Sequence, residues 1–460
     1  MKGFYMGQRE KLGSRLGFIL ISAGCAIGLG NIWTFPWRTS ISGGGAFVLI
    51  YLFCCVLIGL PVMVAEFSIG RKAQVSPVKM WNKLEKPGQK WGVLGSFSLL
   101  GNVALMAFYT TISGFIWYYF FKFLTGNSDN LSFTGTYANI PVSLGFMVLV
   151  VVLGFFVLSF DLQKGLETVT KYLMLGLFIL MIALAIYVCT LPGAGKGLSF
   201  YLKPDFSVVT PMTFIKALNQ SFFSLSLGMG SMAIFGSYID KDRSLLGESV
   251  NIVALDTFAA LLAGFIIFPV VFTYSDGIKI PGPELLFTTM SQLFNNMGGV
   301  GRVLGSLFFL FMIFASMSTV FAVFENILAM TRDLTGWSRK KGCAILCVIM
   351  IVICIPMALG GSVFRETFYF AEDGPGCGFL DMWSMIVEKI VQPIGAIAIL
   401  LFCSWGKIGM GWTEFLKEAN SGKGLKVANW MKVIFGIIAP AVILFVFIYG
   451  LATYGWAFCP

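Results

Sequence analysis

The sequence predicts an all-α integral membrane protein of about eleven transmembrane helices, arranged as two inverted five-helix repeats (1–5 and 6–10) with helices 1 and 6 broken. Three observations carry this reading. The 460 residues are 57% hydrophobic and only 12% charged, the composition of a polytopic membrane protein rather than of soluble domains. Apolar runs of the roughly 20 residues needed for a span recur along the whole chain. Two of those runs, the first and the sixth, are interrupted by glycines and hydroxyls in mid-membrane.

The runs fall at about 13–37, 43–70, 92–124, 140–160, 168–190, 214–240, 248–273, 301–331, 342–358, 380–405 and 430–457, and are called spans 1 to 11. Span 1 reads SAGCAIGLGNIWTFPW from Ser22 to Trp37. Gly24, Gly28 and Gly30 precede Asn31, and Pro36 follows. Glycine lets a backbone leave helical geometry. Small residues in a span also serve close helix packing, so this stretch alone supports either reading. Unwound backbone inside a membrane must be buried in protein or line a cavity. Span 6 carries a second interruption, NQSFFSLSLGMGS from Asn219 to Ser231, which favours the break in both.

The two interruptions correspond if spans 1–5 (about 13–190) and 6–10 (about 214–405) are repeats, with span 11 (about 430–457) additional. A unit of five spans reverses direction, so its second copy is inverted. Paired interruptions of this kind point to a ligand site at the membrane midplane. Loops are short, which predicts a single membrane domain, 1–460, with no soluble appendage. Pro283 to Met297 has helical spacing but is too short to cross, and predicts a short hairpin over the outer surface.

The net charge of +10 does not indicate a nucleic-acid partner, because of where it sits. Lys and Arg concentrate before span 1, in 71–90, after spans 4, 6 and 8, and from Lys407 to Lys432. This is the positive-inside bias. It predicts a multi-pass protein of the inner (plasma) membrane with a cytoplasmic N-terminus and an extracytoplasmic C-terminus, in contact with anionic lipid. Span 1 runs directly into further spans without a cleavage site, unlike a signal peptide.

The ten cysteines show no metal-ligand spacing, and Cys54, Cys55, Cys347 and Cys354 read as small apolar residues within spans. Cys377 and Cys459 fall outside the membrane, with pairing undetermined. There is no histidine, which removes Ser-His-Asp and Cys-His catalysis and most zinc sites. No catalytic constellation is expected, and the chain does not read as an enzyme.

The motifs RLGFILISAGCAIGLGNIWTFPW in span 1, GGGAFVLIYL at 43–52, LPVMVAEFSIGR at 60–71, SFFSLSLGMGSMAIFGSY in span 6 and FASMSTVFAVFE in span 8 resemble the neurotransmitter:sodium symporter family, its bacterial amino-acid branch in particular. The paired-interruption rule was drawn partly from this family, so the two signals are not independent. The resemblance implies a substrate and two sodium ions near the midplane. The first sodium would take the carbonyl of Ala26, Asn31, Ser224 and Asp256, with the substrate carboxylate completing its shell. The second would take carbonyls of Gly24, Ile27 and Ala315 with the hydroxyls of Ser318 and Thr319. Taken alone, those hydroxyls can instead bond back one turn along their own helix.

The resemblance also places the substrate. Its carboxylate would meet the amides around Leu29 and Gly30 and the Tyr109 hydroxyl. Its amine would meet carbonyls near Cys25, Ala26, Phe223, Ser224 and Ser226. Its side chain would face Leu105, Phe223, Ser226, Met229, Thr319 and Val323. None of these is ionised, which implies a neutral, hydrophobic L-amino acid, aliphatic or aromatic. The partner is thus a small-molecule substrate; oligomeric state is not determined by sequence.

The chain departs from the family in places. Thr34 and Ser384 stand where relatives carry an outer-gate arginine and aspartate. Helical spacing offers Arg38 and Asp381 as a displaced pair, or as ordinary interfacial charges. Arg9 and Asp333 match an inner-gate pair, with Ser237 and Tyr238 alongside, and Leu12 replaces a tryptophan. Glu66 matches an acid that holds the span 6 break. Asp256 stands where many relatives have asparagine and use chloride. With Tyr51, Gln220, Ser224 and Ala260 around the would-be chloride pocket, Ala260 lacks a hydroxyl. This implies chloride independence, with possible proton counter-transport through Asp256. A proton-coupled transporter on the same fold and a membrane amino-acid sensor are the competing readings.

Overall fold

The structure is a computed structural model and describes residues 11–274, 282, 284–364 and 379–454. Among these, nine helices are long and apolar enough to cross a membrane, and a tenth crossing is a bent pair. They are span 2 (Gly45–Ala73), span 3 (Val93–Thr125), span 4 (Ile140–Leu158), span 5 (Gln163–Val188), span 7 (Leu245–Tyr274), span 8 (Gly298–Thr335), span 9 (Arg339–Ala358), span 10 (Met382–Ser404) and span 11 (Asn429–Gly450). The bent pair is span 1, Arg15–Ala26 and Gly30–Ile41, which turn 53° at the break. Span 6 is two pieces, Pro211–Ser224 and Ser231–Gly236, each too short to cross by itself. A count of eleven rests on taking them as one crossing.

The breaks lie where the glycines are. Span 1 stops at Ile27, whose backbone is extended (φ −71°, ψ 101°). It resumes as a π-helical turn, Gly30–Thr34, before Phe35–Ile41. In span 6, Ser226, Gly228 and Gly230 take φ of +52°, +82° and +77°, a left-handed region that interrupts a right-handed helix. Gly228 is required twice over. A Cβ there would lie 2.2 Å from the Gln392 carbonyl oxygen, so span 10 meets this break backbone to backbone.

Four π-turns share one sequence cause. Gly30–Thr34, Cys55–Gly59, Ile386–Val391 and Ile434–Ile438 each end two residues before a proline: Pro36, Pro61, Pro393 and Pro440. Proline has no N–H, and its ring pushes against the carbonyl one turn back. Widening that turn relieves the contact without ending the helix.

Spans 8, 3, 5 and 4 pack on one another, while the second half of span 6 runs along span 2. Glycines allow the closest approaches. A Cβ at Gly70 would lie 1.8 Å from the Ala233 carbonyl oxygen, and one at Gly236 would lie 2.5 Å from that of Phe67. Small residues at such contacts are what membrane helices use in place of a hydrophobic driving force.

Several connections between spans are themselves helical. Pro77–Leu84, Ala194–Leu202 and Trp412–Ala419 lie between spans. Between spans 7 and 8, the described part of the expected hairpin is instead one continuous helical stretch, a π-turn, Leu285–Thr289, running directly into Met290–Asn296. Cys377 and Cys459 lie outside the described residues.

Glycine positions give a direct check on the span 6 break. Gly228→Ala should lower stability by about 1–3 kcal/mol, from strain and overpacking together. Gly145→Ala faces open space in the middle of span 4 and should change stability by less than about 1 kcal/mol. Thermal unfolding in detergent compares them, and equal midpoints for the two variants would contradict the backbone contact.

Candidate functional site

Broken helices expose backbone groups that cannot be left unpaired away from water, and the partners of those groups define the site. The Glu66 carboxylate, fully buried on span 2, accepts from the backbone N–H of Gly228 (3.0 Å) and of Met232 (3.0 Å). Asn102 on span 3 donates to the Met229 carbonyl (2.9 Å) and accepts from Ser231 Oγ (3.2 Å) and Asn326 Nδ2 (3.2 Å). Gln392 on span 10 donates to the Phe222 carbonyl (3.2 Å). Across the breaks, Ser226 Oγ donates to the Cys25 carbonyl (2.9 Å).

At the span 1 break the Leu29 N–H donates to the Tyr109 hydroxyl (3.0 Å). A Cβ on Gly28 would lie 2.3 Å from that hydroxyl and 2.5 Å from Thr319 Oγ1. A Cβ on Gly30 would lie 3.1 Å from the Ser224 Cα. Glycine at these two positions lets span 1 reach spans 3, 8 and 6 at once. The Gly30 carbonyl accepts from Gln220 Nε2 (2.7 Å) and Thr34 Oγ1 (2.9 Å).

Two oxygen clusters flank the break. In the first, Asn31 Nδ2 donates to the Asp256 carbonyl (2.9 Å) and to Asp256 Oδ1 (2.8 Å), and Asn31 Oδ1 accepts from the Gly28 N–H (3.3 Å). Asp256 is fully buried, and its Oδ2 has no hydrogen-bond partner among the described residues. Ser224 Oγ lies 3.1 Å from the Tyr51 hydroxyl. An orphaned buried carboxylate oxygen is costly unless a cation or a proton meets it.

In the second cluster, Thr319 Oγ1 lies 3.1 Å from the Gly24 carbonyl, 3.3 Å from that of Ile27 and 3.4 Å from that of Ala315. Ser318 Oγ donates to the Ala315 carbonyl (2.8 Å). Five oxygens therefore crowd together with two hydroxyl protons between them. The back-bonding expected of such hydroxyls is present. It leaves carbonyl lone pairs over, and these suit a hard cation with oxygen ligands. The donor sets of both clusters fit sodium.

Between the clusters is a buried cavity lined by Ala26, Gly28, Leu29, Gly30, Leu105, Tyr109, Phe223, Ser226, Met229, Thr319 and Gln392. Cys25, Ser224 and Val323 are buried close by in sequence but do not line this cavity. Gly28 and Gln392 line it without having been singled out as substrate contacts. For Gln392, a lone amide ahead of a proline in an apolar run was the available signal.

The expected gates divide. Arg9 lies outside the described residues, as does the Asp381 side chain. Asp333 accepts from the Ser76 N–H (2.8 Å), Ser237 Oγ donates to the Ile234 carbonyl (2.6 Å), and the Tyr238 hydroxyl donates to Glu325 (2.8 Å). Glu325, fully buried, also pairs with Arg339 (2.5 Å). Arg38 pairs with Glu388 on span 10 and donates to Gln220 Oε1 (2.9 Å). Glu388 lies one helical turn after Ser384, whereas the expected Asp381 lies one turn before it, so Arg38 finds its partner on the other side of Ser384.

Comparison with known proteins agrees with this architecture. Residues 9–138 and 129–457 match the sodium:neurotransmitter symporter family model. An uncharacterized sodium-dependent transporter of Haemophilus influenzae is 31% identical over 96% of this chain and 98% of its own length. Another, of Bacillus subtilis, is 32% identical over 95% and 96%. The crystal structure of MhsT in complex with L-phenylalanine is 36% identical, with a TM-score of 0.85, over 96% of this chain and 99% of that one. These matches span nearly the whole sequence and are to transporters, not enzymes. The chain is a sodium-dependent membrane transporter and belongs to the sodium:neurotransmitter symporter family.

Proposed function

We propose that the protein is a symporter that imports a neutral, hydrophobic L-amino acid by alternating access, driven by two sodium ions. The observation that carries this is the oxygen cluster of Gly24, Ile27, Ala315, Ser318 and Thr319, where two hydroxyl protons serve five oxygens. A cation there satisfies the surplus lone pairs and ties span 1 to span 8. The other cluster, of Ala26, Asn31, Ser224 and Asp256, takes the first ion, and the substrate carboxylate adds the last ligand. That shared oxygen is the coupling, since each ligand raises the affinity of the other.

The cavity supports the substrate class. Its lining carries no ionised side chain, and the structurally similar MhsT was solved with L-phenylalanine. The Leu29 N–H and Tyr109 hydroxyl form a polar end for a carboxylate, and Leu105, Phe223 and Met229 an apolar one. Repeats of about 13–190 and 214–405 would move around this site, with the N-terminus cytoplasmic, the C-terminus outside and the basic loops facing the cytoplasm of the plasma membrane.

Asn31→Ala or Asp256→Ala should abolish substrate binding at ordinary sodium concentrations. Scintillation-proximity binding with purified protein measures this, and undiminished sodium-dependent binding by both would remove the first ion from these residues. Ser318→Ala combined with Thr319→Ala should raise the half-saturating sodium concentration for uptake several-fold. An unchanged sodium curve would return both hydroxyls to a purely structural role.

Asp256 supplies a fixed charge beside the first ion, and Ala260 offers no hydroxyl to chloride, so uptake should ignore replacement of chloride by gluconate. Once sodium leaves inward, a proton is the simplest group to neutralise the stranded carboxylate. Protons then return outward, so an acid-inside gradient should accelerate uptake into proteoliposomes and Asp256→Asn should lose that response. Strict chloride dependence of the unaltered protein would contradict this assignment.

A further inference from the structure

The side-chain end of the cavity holds an acceptor with nothing to accept from. Gln392 lines the cavity and is fully buried. Its Nε2 faces the Phe222 carbonyl at 3.2 Å, and its Oε1 has no hydrogen-bond partner among the described residues. Exchanging the two amide atoms does not help. It would put an oxygen against the Phe222 carbonyl, which has no proton to give, so the hydrogen-bond pattern fixes the nitrogen there.

The backbone holds this residue firmly. Gln392 follows the π-turn Ile386–Val391 and precedes Pro393, and its own carbonyl lies against Gly228. The preceding Val391 meets the close-packed Gly101 beside Met229. Gln392 therefore enters from span 10, among the span 6 residues around Phe223 and Met229. The carboxylate-binding Leu29 N–H and Tyr109 belong to spans 1 and 3. A buried acceptor without a partner is expensive, and sites that leave one open in the absence of ligand discriminate by it.

We propose that Gln392 Oε1 accepts a hydrogen bond from a donor at the far end of the substrate side chain, so that the preferred substrates are aromatic amino acids with a distal donor. This rests on the amino-acid reading above and narrows it. Two side chains combine a hydrophobic ring with a single such donor: the phenol O–H of tyrosine and the indole N–H of tryptophan. Phenylalanine and leucine fill the same apolar space and leave the acceptor empty.

Competition against a radiolabelled hydrophobic amino acid, with the unaltered full chain in proteoliposomes and sodium present, tests this without a variant. Tyrosine is compared with O-methyltyrosine and phenylalanine, and tryptophan with 1-methyltryptophan. At least one parent should bind about tenfold more tightly than its methylated partner, the usual scale for a buried hydrogen bond. The pair that separates identifies the donor. Gln392→Met, close in length and without an acceptor, should bring that ratio to about one. Equal affinities within both pairs overturn the proposal while leaving hydrophobic amino-acid transport intact. A Gln392→Met protein that retains the full discrimination overturns it as well. Absence of sodium-dependent uptake of any amino acid in the panel would instead overturn the proposed function.

Discussion

The structure depends on one constraint: a helix broken in mid-membrane leaves backbone N–H and C=O groups that water cannot satisfy. Each side chain around the breaks answers that demand. Glu66 takes two amides of span 6, Asn102 and Gln392 take two of its carbonyls, Tyr109 takes an amide of span 1, and Gln220 takes the Gly30 carbonyl. These residues come from spans 2, 3, 6 and 10. The breaks thus organise the helices around them, and the polar residues inside the bundle are where the backbone needs them.

The same network reaches outward from the site. The Gly30 carbonyl accepts from Gln220, Gln220 accepts from Arg38, and Arg38 pairs with Glu388. A change in the backbone at the break is therefore linked through Gln220 to a charge pair between spans 1 and 10. Glu388 lies within a π-turn whose cause is Pro393, and Gln392 lies between that turn and the proline. One proline shapes both the charge pair and the wall of the cavity.

Electrostatics explain why the carbonyl-rich cluster is suited to a cation. Carbonyl dipoles converging in a low-dielectric interior repel one another, and a hydroxyl can relieve only one of them at a time. Thr319 Oγ1 stands within reach of three. Asp256 brings a formal charge to the other cluster, where Asn31 engages one carboxylate oxygen and leaves the second open. The two clusters are thus unlike: one is a set of dipoles, the other contains an ion.

The membrane class and the positions of both breaks were legible in the sequence, because apolar length and mid-span glycines are local signals. The motif in span 1 likewise carried the family. Of the side chains that close the span 6 break, Glu66 was expected there from the family resemblance, whereas Asn102 and Gln392 were not singled out. Glu388 pairs with Arg38, Glu325 with Arg339 and Gln392 with Phe222 across distant stretches of chain. Helical spacing predicts neighbours on one helix and says nothing of which face of another helix arrives opposite. Only the tertiary structure decided those pairings, because close approach at glycines and the wider turns before prolines set the rotation and depth of each span.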